Sequence, residues 1–225
     1  MADADKYFEL RRTLVNNEVL AVPADVPRVV ALWKGGRRVP DEQVPRLTFQ
    51  TSWKKFGGDL VFCQAFGAVG DGGYMGYLAS PKLVVVLSEA GFSGWQAIPV
   101  DVEIKGRPTV TDYSLLHVYG RSGMELVERM RIETYTRYEG DKGWLEPRGY
   151  YFDLDTWDGS DLFSPFPSTF LFVTQSVARL LKRSKLYRVE LEPLSEFWFP
   201  RPLPGEPLYD EIAARQNSEA RDGPD

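Results

Sequence analysis

The sequence predicts an α+β fold: mostly antiparallel or mixed sheet carrying a few short amphipathic helices. Three observations lead there. Apolar residues recur at helical spacing only over short spans, around 83–87 and 177–181, each opened by a Ser or Thr that suits an N-cap. Each span runs on into an aromatic-led segment that reads as a strand, and after the second the alternation has period 2, the pattern of a strand buried on one face. Other short strand-like runs, punctuated by Gly and Pro, fill much of the remaining chain. The chain has 225 residues, 43% hydrophobic and 26% charged, an ordinary globular composition with room for one large domain or two small ones.

Residues 157–196 form the best-defined block: an acidic aromatic turn (WDGSDLF), a short strand, an amphipathic helix and a second strand. Thr174 is placed to cap the helix by accepting from a first-turn N–H. Val177, Leu180 and Leu181 build its apolar stripe, while Lys182, Arg183 and Lys185 suit the negative end of the helix dipole. Tyr187, Val189 and Leu191 then alternate with Arg188, Glu190 and Glu192, and Pro193 ends the strand. Carboxylates stand on both sides of the helix: Asp153, Asp155, Asp158 and Asp161 before it, Glu190, Glu192 and Glu196 after it.

In chain order, KYFEL at 6–10 is a short strand, and 11–30 holds two apolar stretches broken by Asn16, Asn17, Pro23 and Pro27. Residues 33–45 read as a polar loop with a basic cluster. Residues 47–53 alternate weakly, and 59–66 (DLVFCQAF) is a buried strand holding Cys63 as a small core residue. Residues 67–76 are glycine-rich but lack a Walker lysine or a G-x-G-x-x-G, so a flexible loop with surface for contact is the expectation. Ser80 caps a helix with Pro81 at its first position, and Gly91 stops it in a left-handed conformation. A strand follows over 95–102, with Pro99 marking an edge or bulge. Residues 111–119 form a strand containing His117, read as half-exposed and structural. Residues 124–138 read as helix then strand, 139–149 as turn, and 150–154 as strand. Beyond 196 the chain is proline-rich, then polar.

The two helix–strand units are similar. With Ser80 set on Thr174, Leu83 falls on Val177, Val86 on Leu180, Leu87 on Leu181 and Phe92 on Leu186, an offset of 94 residues. This reads either as two related halves or as the chance likeness of two common α–β units. The expected division is an N-terminal half over 1–110, a C-terminal half over 111–200 and a tail over 201–225.

A search for catalytic chemistry leaves little. One Cys and one His exclude a disulfide and a thiolate or clustered-His zinc site. A Cys63–His117 dyad is disfavoured by the apolar run around the thiol. Asp153, Asp155, Asp158 and Asp161 could hold a hard cation but lack the glycine and terminal Glu of a calcium loop, and a solvated turn with Asx-type backbone bonds is the favoured reading. No cofactor is expected. The net charge of −5 argues against a nucleic-acid partner and suits a basic protein. No apolar run approaches the roughly 18 residues of a membrane span, and the first residues carry no secretory signal, so no membrane partner and a cytoplasmic location are the expectation.

The segments KYFEL, DYSLLHVYGRSG and, above all, WDGSDLF followed by FVTQSVARLLKRSKLYRVELEPLSE resemble a paralogous group of bacterial immunity proteins from polymorphic toxin systems. In that group a W-D-G-x-D-L-F turn precedes a strand, a T-x-x-V helix and a V-x-L-x-P strand. The likeness is best over 111–196 and thin over 1–110. Some similar proteins carry paired C-x-x-C-G zinc ribbons, a role this chain with Cys63 alone cannot share. The resemblance implies a protein that binds a cognate toxin domain and occludes it, without catalysis. Asp155, Trp157, Asp158 and Asp161, with Tyr74 from the glycine-rich stretch, are then the expected contact residues. The turn being shared within the group, it can equally be structural, with specificity in loops 33–45 or 67–77. The rival readings are a carboxylate-dependent hydrolase or transferase and a non-catalytic adaptor recruited through the proline-rich tail.

Overall fold

Ser80 opens a nine-residue helix over Pro81–Glu89, and Thr174 opens another of equal length over Gln175–Arg183. Both cap residues share one extended conformation, φ −67° and ψ 161° at Ser80 against φ −69° and ψ 163° at Thr174. In chain order the elements of this computed structural model are β1 (Tyr7–Arg12), β2 (Val22–Pro23), α1 (Val26–Gly35), β3 (Leu47–Thr51), β4 (Leu60–Ala65) and β5 (Tyr74–Ala79). There follow α2 (Pro81–Glu89), β6 (Trp95–Ile104), β7 (Ser114–Val118), β8 (Arg131–Tyr135) and β9 (Trp144–Arg148). The last are β10 (Leu162–Phe163), β11 (Phe172–Thr174), α3 (Gln175–Arg183) and β12 (Val189–Pro193). The structure describes residues 4–12, 21–51, 56–65, 74–136, 140, 143–165, 170–198, 210 and 214.

The strands form an α+β arrangement of mixed and antiparallel sheets. One sheet runs β2-β3-β6-β7-β5-β4, a second β10-β11-β1-β12, and β8 with β9 makes a separate ribbon. The first sheet curls into a half barrel, and a bridge between Ala21 and Cys63 brings its two ends together. Phe49, Val61, Cys63, Leu78, Ile98, Val100, Val102 and Leu115 fill its inside.

The resemblance of the two helix–strand units extends through the backbone. Under the same offset, Gly91 (φ 69°) falls on Lys185 (φ 49°) and Gly94 (φ 87°) on Arg188 (φ 64°), so both helices are left through the same pair of left-handed positions. The pairing registers match as well. Leu78 faces Leu115 as Phe172 faces Glu9. Ile98 faces Leu115 as Glu192 faces Glu9, and Pro99 faces Ser114 as Pro193 faces Phe8. Leu60 faces Ala79 as Leu162 faces Val173. The order β4-β5-β7-β6 in the first sheet is thus repeated as β10-β11-β1-β12 in the second. One strand is permuted: the first half takes its middle strand, β7, from just after β6, whereas the second takes β1 from early in the chain.

The two halves meet through their helices. Leu83 and Leu87 of α2 and Val177, Ala178 and Leu181 of α3 are buried in one core, with Leu60, Leu116, Leu10 and Leu162 beneath them. Two carboxylates tie the halves reciprocally. Asp59 accepts from the Ser80 hydroxyl (2.5 Å) and from the N–H of Tyr187 (2.6 Å), in the turn that follows α3. Asp161 accepts from the Thr174 hydroxyl (3.3 Å) and from the N–H of Ser93 (3.0 Å), in the turn that follows α2. Ser80 N–H donates to the Asp59 carbonyl as Thr174 N–H donates to the Asp161 carbonyl, both at 3.0 Å. Because each aspartate grips its own helix cap and the other half's turn, the contact is isologous, as between two copies of one subunit. A Cβ at Gly94 would overlap Ser160 and the Leu162 carbonyl, and at the matching contact Gly58 lies against Arg188 instead.

Several expectations change. Thr174 occupies the N-cap position, but its hydroxyl donates to Asp161 and accepts from no first-turn N–H, whereas Ser80 accepts from Leu83 N–H (3.2 Å). Residues 26–35 form a helix, not a broken apolar stretch and the start of a loop. Pro27 stands in its first turn, where no N–H is needed, and Asp25 caps Arg28 N–H at 3.0 Å. The helix expected within 124–138 is a single 3-10 turn over Val127–Arg129, because Met130 N–H turns back to the Val127 carbonyl and leads straight into β8. Residues 144–148, read as turn, pair with β8, and 150–154 contribute only one bridge, Glu125 to Phe152. Pro99 lies on neither an edge nor a bulge: β6 is interior, and Pro99 stands where pairing with β7 gives way to pairing with β3. A division at residue 110 does not follow the sheets, since β1 lies in the sheet of the C-terminal half and β7 in that of the N-terminal half. Residues 66–73 and nearly all of the proline-rich tail lie outside the described residues.

Replacing the buried Asp59 by Ala leaves the Tyr187 N–H and the Ser80 hydroxyl without their acceptor, an expected cost of roughly 2–3 kcal/mol. Asp161→Ala, at a half-exposed site, should cost about 1 kcal/mol. Urea denaturation measures both; an Asp59→Ala variant as stable as the parent would remove the clasp from the account.

Candidate functional site

The WDGSDLF turn is built into the scaffold. Trp157 meets Tyr7, Phe152 and Phe163 at ring-centroid distances of 5.5, 5.9 and 5.5 Å. Its indole Nε1 is buried without a hydrogen-bond partner among the described residues. Asp158 accepts from the Arg121 N–H (2.7 Å) and the Ser160 N–H (2.9 Å), and the Ser160 hydroxyl also reaches it. Asp153 accepts from Asp155 N–H at 3.1 Å, an Asx turn. Gly120 and Gly123 let this turn press on the neighbouring backbone, because a Cβ there would overlap the carbonyls of Leu162 and Asp153. Of the residues singled out in the sequence, Asp155 and Asp158 are exposed, Trp157 and Asp161 half-buried. Tyr74 begins β5 opposite Ala65, away from the turn's sheet. The structure therefore brings Trp157, Asp158 and Asp161 together as a bracket between the sheets.

The faces that the two sheets turn toward each other match, and the outer faces, turned away from the other half and in the first sheet the inside of the half barrel, differ at several places. Where the half barrel has Leu115 beside Ile98, the second sheet has Glu9 beside Glu192. Where it has His117 beside Gln96, the second sheet has Arg11 beside Glu190. Arg11 lies 2.7 Å from Glu192, 3.4 Å from Glu190 and 3.7 Å from Glu9. Glu196 joins this acidic face and is paired with Arg148. Glu9 is only 7% exposed, and burial pushes its carboxyl up to about 7, with Glu192 and Glu190 adding to the rise and Arg11 opposing it. Glu192 is also raised, first by burial. The sequence pattern flagged Glu190, Glu192 and Glu196 but not Glu9, whose partner lies at the far end of the chain.

On the half barrel, Gln96 and His117 hold a loop instead. The Gln96 amide accepts from Val39 N–H and donates to the Val39 carbonyl, both at 3.0 Å. His117 is buried, not half-exposed, because this loop covers it, and its Nε2 donates to the Arg37 carbonyl at 3.0 Å. Burial lowers its pKa, so the ring is neutral at pH 7. A pocket of about 280 Å³ opens between α1 and this loop, with Arg28, Ala31 and Leu32 on the helix side. Arg38 faces it from the loop while pairing with Asp41 at 2.7 Å.

Cys63 lies fully buried in the half barrel, and burial pushes its thiol pKa far up, so it is an inert core residue. Among the described residues no group of three or more His, Cys, Asp or Glu is placed to hold a metal ion. No described helix is long and apolar enough to cross a membrane. No protein-family model matches the chain, and no curated protein matches it.

Trp157→Ala should cost roughly 2–4 kcal/mol of stability, a packing loss readable by thermal denaturation. A mutant of unchanged stability would mean the ring is not part of the core. Glu9 makes stability depend on pH. Its folded pKa of about 7 exceeds the ordinary 4.5, so the folded state takes up a proton between these values. Stability therefore falls as pH rises from 4.5 to 7, by on the order of 2–3 kcal/mol from this group. Glu9→Gln should flatten that slope and be the more stable form at pH 8; an unaltered profile would assign the slope to other groups.

Proposed function

We propose that the protein is a stoichiometric inhibitor of the immunity type, which neutralises a toxin domain by covering it. The supporting observation is the crowding of Glu9, Glu190 and Glu192 on the outer face of β1 and β12, with Glu196 just beyond, where burial first and mutual repulsion after it raise Glu9 and Glu192 although Arg11, and at Glu192 also Arg148, oppose the rise. Such a face gains from one more cation, and a lysine or arginine of a partner would supply it. The WDGSDLF turn serves this function indirectly, by fixing the sheet that presents the carboxylates. The net charge of −5 adds long-range attraction for a basic partner.

A hydrolase built on this face, rather than on the aspartates of residues 153–161, would draw on Glu9 and Glu192 as an acid–base pair. At 7% exposure Glu9 offers little access to a substrate, and Arg11 already engages Glu192. Binding is therefore the better use of this face.

The test is growth rescue. The protein encoded by the adjacent upstream reading frame is produced in a naive host with and without this chain. Restored growth and a complex of fixed stoichiometry are expected. A harmless neighbour, or rescue without a complex, would overturn the proposal. In the complex, Glu190→Gln with Glu192→Gln should slow association about tenfold at low ionic strength, an effect shrinking as salt is raised.

A further inference from the structure

We propose that the pocket between α1 and residues 37–43 is a docking site for an acidic side chain, a glutamate or aspartate carried by a protein partner. This is a second contact surface, opposite in charge to the face of β1 and β12, and it does not depend on the partner being a toxin.

The pocket's charge is uncompensated. Arg28 and Arg37 line it, and neither guanidinium makes an ion pair or hydrogen bond among the described residues. Arg38 is held by Asp41, which leaves two arginines free to fork onto one carboxylate. In a chain of net charge −5, a local cluster of this kind is a specific feature and not a reflection of overall charge.

Its shape is fixed by buried groups. The two hydrogen bonds from Gln96 clamp Val39, and neutral His117 holds the Arg37 carbonyl, so the loop is anchored on two paired residues of β6 and β7. Arg37 is therefore presented on a braced loop, facing Arg28 on α1, which lowers the entropy cost of binding. Ala31, Leu32, Val39 and Pro40 give the pocket apolar walls that suit the methylenes of a glutamate, and Gln43 adds an amide. The helix side of the pocket also argues against phosphate. Ala31 and Leu32 lie in the C-terminal half of α1, where the dipole is negative and disfavours a dianion more than a single carboxylate.

The experiment is an NMR titration of the full chain, following backbone amides, with an acetylated and amidated Glu-Leu-Glu peptide. A Gln-Leu-Gln peptide and inorganic phosphate serve as the other arms. The expected result is saturable shifts at Arg37, Arg38 and Gln43 with the glutamyl peptide alone. An Arg28→Gln, Arg37→Gln variant should bind at least tenfold more weakly; both side chains are exposed and without an ion pair among the described residues, so it should keep the parent spectrum elsewhere. The proposal is overturned by no shift, by equal shifts with the Gln-Leu-Gln peptide, or by equal affinity in the variant. Phosphate binding as tightly as the peptide would also overturn it, by making the pocket a phosphate site.

Discussion

Two aspartates hold this protein's halves together, and each does two jobs. Asp59 and Asp161 receive the hydroxyl of their own helix cap and the backbone N–H of the opposite half's turn. A buried carboxylate must be fully hydrogen-bonded, and here the donors come from both halves. Alignment of α2 with α3, and with it the shared core of Leu83, Leu87, Val177 and Leu181, follows from satisfying those groups. Gly94, tight against Ser160 and the Leu162 carbonyl, shows how closely the backbones are drawn together at one of the two clasps.

Inside that clasp the two halves remain alike; outside it they have diverged. Leu10 and Leu116 occupy matching positions of the common core, and Leu162 matches Leu60. On the outer faces the equivalents of Leu115 and Ile98 are Glu9 and Glu192, and those of Gln96 and His117 are Glu190 and Arg11. In the half barrel Val29 of α1 joins Leu115 and Ile98 in one core, whereas the second sheet carries Glu9 and Glu192 at the same places. A residue that packs against the partner half is constrained by a mate across the interface. A residue on the outer face is constrained only by what covers it, and the two charged faces lie there.

The parts of the fold that were legible in the sequence are those fixed by local chemistry. Ser80, Pro81 and Gly91 mark a helix through capping, a missing N–H and a left-handed stop, all within a dozen residues. The aligned helices could be read in the same way, but the repeat of the strands could not. β1 and β7 share pairing register and almost no side-chain character, and they stand at different places in chain order. Helix α1 was hidden because Pro27 looks like a breaker until Asp25 is seen to cap the turn that contains it. At the candidate site, Trp157 resembled a contact anchor because its partners Tyr7 and Phe152 reach it only through tertiary structure. The perturbed carboxyl of Glu9 was invisible for the same reason, since its neighbour Glu192 comes from the other end of the described chain.

The permuted place of β1 also sets an order of assembly on the ribosome. The half barrel draws its strands from one continuous stretch, so it can close as soon as β7 has emerged. β1 emerges before every other described strand of its sheet, and its neighbours β11 and β12 follow only after the half barrel's strands. Phe8 and Leu10, buried in the finished molecule, can meet Leu60, Leu83 and Leu116 once the half barrel forms, but their strand has no pairing partner until β11 and β12 emerge. The nascent chain thus carries a strand, apolar on one face at Phe8 and Leu10, with open hydrogen-bonding edges, the kind of segment that chaperones shield and that pairs wrongly with its neighbours when crowded.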